Sequence, residues 1–238
     1  MPIQLKQFKV IAIDADDTLW DCQSHFDNAE AVYCQLLAAY AGAKHVSDAL
    51  FETEKANMDS LGYGTKAFTL SLIENAVKIS EGRISGKIIA EILQLGKALL
   101  TFSTTPLPGV EDTLIALNER KTNEGYRLVV FTKGELQDQE NKLKRSGLAN
   151  YFDDIVIVSD KTEEEYRHLC VNNGIHPKEL LMIGNSFKSD IAPALSIGAH
   201  AIHVPFSVAW KMELAETFDH ERLITIENFR DLIAFSTL

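Results

Sequence analysis

Five short apolar runs punctuate the chain, at positions 9–13, 127–131, 155–158, 180–183 and 201–204. They are compact, rich in β-branched residues and do not alternate with polar positions, which is the pattern of strands buried on both faces. Between them, segments 111–123, 135–146, 162–173 and 189–197 carry apolar residues at helical spacing. Strands alternating with helices of this length predict βαβ crossovers, and hence an α/β protein built on a parallel, three-layer sheet.

One interval breaks the alternation. From about 24 to 105 the pattern is helical throughout, in stretches such as 28–40, 65–79 and 87–102, and the last sets Ile88, Ile89, Ile92, Leu95, Leu99 and Phe102 along one stripe. Pro106-Leu107-Pro108-Gly109 closes it, because two prolines and a glycine stop a helix and re-aim the chain. The expectation is a helical insertion placed after the first strand.

Composition narrows the class. The chain has 238 residues, 46% of them apolar and 24% charged, an ordinary globular balance that excludes collagen, coiled coil and wholesale disorder. A net charge of −11 repels phosphate backbones and anionic membrane surfaces, so neither nucleic acid nor a membrane is an expected partner. The apolar run at 10–13 is too short for a signal-peptide core, and no stretch approaches the roughly 18 apolar residues of a membrane helix, which predicts a cytoplasmic protein. Cys22, Cys34 and Cys170 form no C-x-x-C pair and are read as reduced packing residues.

The candidate chemistry lies at strand ends, where ligands bind in open parallel sheets. Asp14-Ala15-Asp16-Asp17-Thr18 follows the first strand, and residues two apart on an extended backbone project to one side, so Asp14 and Asp16 face a common crevice while Asp17 points away. Two carboxylates so placed repel unless a cation or protons intervene. One suits a hard cation such as Mg²⁺ or a nucleophilic role, and the other suits proton transfer. Thr132-Lys133-Gly134 ends the second strand ahead of a helix N-terminus that favours anions. Lys161 stands at a helix start, where the macrodipole disfavours a cation unless something anionic offsets it. Gly184-Asn185-Ser186 leads to Asp190, with further oxygen ligands. Other patterns fail on spacing: 82–87 is one residue short of a P-loop, 62–64 lacks the third glycine of a dinucleotide fingerprint, and His200 and His203 would face opposite sides of a strand.

This ordered set resembles the haloacid dehalogenase superfamily, specifically its Mg²⁺-dependent phosphatases, over essentially the whole chain. The resemblance implies a Rossmann-like core domain at 1–21 and 106–238 with an inserted α-helical cap domain at 22–105. It implies Asp14 as the nucleophile that becomes an aspartyl phosphate and Asp16 as the acid/base. Thr132 and the Lys133 backbone would hold phosphate, and Lys161 would neutralise Asp14 and the phosphoryl oxygens. Mg²⁺ would be held by the Asp14 carboxylate, the Asp16 main-chain carbonyl and the fourth motif. Many relatives have Asp where this chain has Asn185. A neutral amide oxygen is therefore expected to ligate the metal, with Asp190 supporting Lys161 or reaching Mg²⁺ through water, and one charge fewer should weaken metal binding. Lys161 is followed by Thr162 rather than the proline common in the family. The implied substrate is a small phosphorylated metabolite, selected by cap residues within 62–68 or 24–26. A phosphomutase, a 2-haloacid dehalogenase and a catalytically silent binding protein are the rival readings on the same scaffold.

Overall fold

The computed structural model describes residues 4–236, which divide into two compact units. Of these, the first comprises 4–23, 104–133 and 139–236, and the second Ser24–Ser103 with Gly134–Asp138. The short segment 134–138 thus groups with the helical insertion, a long-range association that no local pattern foretells.

Among the described residues the first unit has six strands: β1 (Val10–Ile13), β2 (Arg127–Lys133), β3 (Asp154–Val158), β4 (Leu180–Gly184), β5 (His200–His203) and β6 (Leu223–Thr225). They pair in the order β3-β2-β1-β4-β5-β6, all parallel. The central strands β1 and β4 are buried at every position, as runs without polar alternation require. Strand β3 departs from that expectation, with its first residues exposed, because it lies at the sheet edge and lacks a neighbour on one side. Strand β6, at the other edge, is only three residues long and leaves too little apolar pattern to be read from sequence. On one sheet face Val10, Ala12, Val129, Phe131, Leu180 and Met182 pack with Tyr166, Leu169 and Ala194. Burial of each large apolar side chain contributes about 1.5–3 kcal/mol.

Helices α5 (Val110–Glu124), α6 (Leu136–Ser146), α7 (Glu163–Asn172) and α8 (Ala192–Ser196) occupy the intervals between strands. Helix α7 explains Thr162: its hydroxyl caps the helix by accepting the Glu165 amide at 3.3 Å. The polypeptide leaves β1 for β2 and β3 on one side and returns to β4, β5 and β6 on the other, so the order reverses between β1 and β4. Such a reversal opens a crevice at the carboxyl ends of the two strands.

The second unit is helical: α1 (Gln23–Leu36), α2 (Ala43–Leu61), α3 (Thr65–Ile79) and α4 (Gly86–Leu99). Its own core gathers Tyr33, Leu37, Val46, Leu50, Phe68, Leu72, Ile92 and Leu99. The P-loop-like 82–87 segment is a connection into α4, where the Ser85 hydroxyl caps the helix by accepting the Ile88 amide. Among the described residues no helix is long and apolar enough to cross a membrane.

Candidate active site

Asp14 directly follows β1, and its amide still donates to the Ile183 carbonyl at 2.9 Å, so the sheet itself sets the direction of the chain at this residue. Its side chain is buried and meets the ammonium of Lys161 through Oδ1. The same ammonium donates to Asp190 Oδ1 at 2.6 Å. One buried cation thus serves two buried carboxylates, and the local charge is negative. Burial pushes the Asp14 carboxyl up to about 7, with Asp190 and Asp16 adding to the rise against the pull of Lys161. Burial alone would lower Lys161, but Asp14 and Asp190 outweigh it and hold the ammonium above its ordinary value.

On its other oxygen Asp14 approaches Thr18. The Thr18 hydroxyl lies 3.2 Å from Asp14 Oδ2 and 3.2 Å from Asn185 Oδ1, so the ends of β1 and β4 present two oxygens to one hydroxyl. A hydroxyl carries one proton and serves one acceptor at a time. Residual negative charge and converging hard oxygens suit a cation such as Mg²⁺. Among the described residues no three His, Cys, Asp or Glu side chains converge as a metal-binding group, so such an ion would depend on the Asn185 amide and main-chain oxygen as well as on Asp14.

Asp190 has a protein donor on each carboxylate oxygen. Oδ1 takes Lys161 and Oδ2 accepts the Ser186 amide at 2.9 Å, while the Tyr166 hydroxyl lies 3.0 Å from the Ser189 carbonyl and 3.1 Å from that of Asp190. The turn Phe187–Ile191 that carries it is wider than an α-helical turn, with the Ile191 amide bonded to the Ser186 carbonyl at 3.1 Å. A ring nitrogen of His203 sits 3.1 Å from the Asn185 carbonyl, which fixes the start of this loop.

Asp16 faces different partners. Trp20 Nε1 donates to Oδ1 at 2.8 Å, and Gln139 Nε2 and Lys142 Nζ each donate to Oδ2 at 2.8 Å. Burial pushes its carboxyl up, but the Lys142 charge and these hydrogen bonds outweigh that and hold it below the ordinary carboxylate range. Asp17 turns away, at φ 63°, and accepts the Cys22 and Gln23 amides at 2.8 and 2.9 Å. Asp tolerates this left-handed backbone because its short polar side chain bonds locally.

Thr132 is buried near the end of β2, and beside it the Lys133 ammonium donates to Ser189 Oγ at 2.7 Å and pairs with Glu213. The Glu213 carboxylate also accepts the Ser186 and Ser189 hydroxyls at 2.5 and 2.6 Å. Asp14, Lys161, Asn185 and Asp190 are therefore linked through direct contacts and Thr18, while Asp16 and Lys133 are joined through Gln139, which also donates to the Lys133 carbonyl at 3.0 Å. Residues 62–68 run from the loop before α3 into its first turn in the second unit, where the Thr65 hydroxyl donates to Asp138 at 2.9 Å.

Sequence reasoning missed Lys142, Gln139, Trp20, Ser189 and Glu213. Gln139 and Lys142 stand one turn apart on a strongly polar helix, a spacing that puts them on one face but does not reveal that this face is buried. Glu213 ends a single 3-10 turn, Lys211–Glu213, too short to leave a periodicity that would place it.

A family model described as haloacid dehalogenase-like hydrolase matches residues 8–198. A crystal structure of a haloacid dehalogenase-like family hydrolase from Xanthomonas campestris superposes with a TM-score of 0.85 at 31% identity, covering 96% of this chain and 90% of that one. The N-acylneuraminate-9-phosphatase of Rattus norvegicus is 26% identical over 136 residues, 54% of this chain and 52% of that protein, so the match spans about half of that relative. The glyceraldehyde 3-phosphate phosphatase of Methanocaldococcus jannaschii is 25% identical over 236 residues, 94% of this chain and 95% of that protein.

Proposed function

We propose that this chain, which belongs to the haloacid dehalogenase-like hydrolase family, is a Mg²⁺-dependent phosphatase that hydrolyses a small phosphomonoester through a phosphoryl group carried on Asp14. The observation that carries the reading is the buried ammonium of Lys161 held between Asp14 and Asp190 at the crevice between β1 and β4. The phosphatase names of the sequence relatives support phosphoester hydrolysis over carbon–halogen cleavage.

In this reading a carboxylate oxygen of Asp14 attacks phosphorus in line as the bond to the leaving oxygen breaks. Lys161 offsets the charge of Asp14 and of the phosphoryl oxygens, while Thr132 and the Lys133 backbone hold those oxygens. Asp16 gives a proton to the leaving oxygen. It then takes one from the water whose oxygen attacks phosphorus, releasing phosphate and restoring the Asp14 carboxylate. The ionised state of Asp16 that Lys142 favours is the one that water activation uses, and the proton gained there is the one given to the leaving oxygen of the next substrate, with solvent supplying it for the first turnover. Asp14, the Asp16 main-chain carbonyl and Asn185 would hold Mg²⁺, with Asp190 serving Lys161. When bound, the ion supplies positive charge to the phosphoryl group.

The test is phosphate release from p-nitrophenyl phosphate. Turnover is expected with Mg²⁺ and not with EDTA, and Asp14→Asn is expected to lower it by at least about 10³-fold. Normal Mg²⁺-dependent turnover by Asp14→Asn would overturn the assignment.

A further inference from the structure

We propose that Lys142 and Gln139 are positioning residues that fix the Asp16 carboxylate in its working orientation, an inference resting on the reading of Asp16 as the acid/base. Their α6 face is buried. The Lys142 side chain is 2% exposed, and a buried ammonium is tolerated only beside an anion. That anion is Asp16, at 2.8 Å, while the Cys22 thiol at 3.5 Å is a weak acceptor. The Thr104 hydroxyl donates to the Lys142 carbonyl at 2.9 Å and anchors this turn of the helix.

Gln139 adds a second constraint. Its side-chain nitrogen spends one hydrogen on Asp16 Oδ2 at 2.8 Å and the other on the Lys133 carbonyl at 3.0 Å, tying Asp16 to the end of β2 where Thr132 lies. The cost of this orientation is visible. Among the described residues Gln139 Oε1 is buried with no hydrogen-bond partner, yet turning the amide over would set an oxygen against the carboxylate. Trp20 holds the remaining oxygen. Donors on both oxygens define both side-chain torsions of Asp16. A face needed only for packing would bury apolar groups, so a lysine and a half-satisfied glutamine placed there point to control of the carboxylate. Acting through Asp16, the pair should govern turnover rather than substrate affinity.

The experiment uses the full chain with Mg²⁺ and p-nitrophenyl phosphate, comparing Lys142→Met, Lys142→Gln, Gln139→Leu and Asp16→Asn for kcat, KM, inhibition by inorganic phosphate and melting temperature. Lys142→Met is expected to lower kcat by about 10–100-fold, the scale on which removing a hydrogen-bond partner of a metal-ligating side chain acts. KM and phosphate inhibition should stay within about threefold, as loss of a purely transition-state contribution requires. Lys142→Gln, which keeps a donor, should recover part of the loss, and a crystal structure of Lys142→Met should show the Asp16 carboxylate in a new rotamer. If Lys142→Met does not fold, Lys142→Gln and Gln139→Leu carry the same comparison. Wild-type turnover by folded Lys142 and Gln139 variants, with Asp16→Asn inactive, overturns the positioning role alone. A parallel rise in KM and weaker phosphate inhibition would also overturn it, marking a general loss of site structure. Full turnover by Asp16→Asn would instead overturn the acid/base reading beneath it.

Discussion

A methyl group added at Gly184 would run into the carboxylate of Asp190. The glycine at the end of β4 is thus required by close approach: Asp190 reaches back over the strand end, accepts the Ser186 amide and holds Lys161. Gly184→Ala is expected to cost about 1–3 kcal/mol of stability, the usual range for overpacking. It should also lower turnover by roughly tenfold or more by displacing the group that holds Lys161. Thermal melts and phosphate-release assays on the same preparation check both, and an unchanged kcat would mean that Asp190 does not control the site. At this scale the sequence was informative about which residues sit at strand ends, since Asp14, Thr132, Lys161 and Asn185 each terminate or follow a run that reads as a strand. The resemblance also implied Lys161 beside Asp14 and Asp190, whereas nothing in the sequence pointed to Trp20, Gln139 and Lys142 on Asp16. Asp190 Oδ1 meets Lys161 and Oδ2 meets the Ser186 amide, directions set by the turn that carries the residue and not by its place in the sequence.

Between elements, Asp153 is the clasp that joins α5, β2 and the start of β3. Its carboxylate accepts the Leu128 amide at 2.9 Å and the Lys121 ammonium at 2.6 Å, while its own amide donates to the Leu128 carbonyl at 2.8 Å. Burial would raise its carboxyl, but the hydrogen bonds from Lys121 and Leu128 and the charge of Lys121 hold it below the unfolded value of 3.8. A depressed carboxyl contributes stability that is present above the unfolded pKa and lost as pH falls through the folded one. Asp153→Asn should therefore cost about 1 kcal/mol near pH 7, and the gap from wild type should close as pH drops below about 4. Denaturant melts across that range test it, and a gap independent of pH would show that charge plays no part. The burial-dependent features were the ones sequence patterning misjudged at this scale. Strand β3 reads like a central strand but is an edge, and β6 is too short to register.

For the molecule as a whole, the two units each bury a separate apolar core. Leu50, fully buried among the helices of the second unit, is a clean probe of that separation. Leu50→Ala is expected to cost about 2–5 kcal/mol locally. Hydrogen exchange should quicken within 24–103 while amides of β1, β2 and β4 keep their protection. Equal loss of protection in the sheet would mean that the chain unfolds as one cooperative body.

The alternation of apolar runs with helical periods settled the α/β class, and the helical stretch after the first strand was equally plain, because both patterns arise from neighbours along the chain. The order of acidic, hydroxyl and basic residues at strand ends was legible for the same reason: a parallel sheet brings all carboxyl ends to one edge. Only the tertiary structure decided that Lys142, 126 residues from Asp16, would be buried against it, and that Glu213 would pair with Lys133 80 residues away. A polar side chain looks the same in sequence whether water or protein satisfies it, and the long-range packing of elements chooses between them.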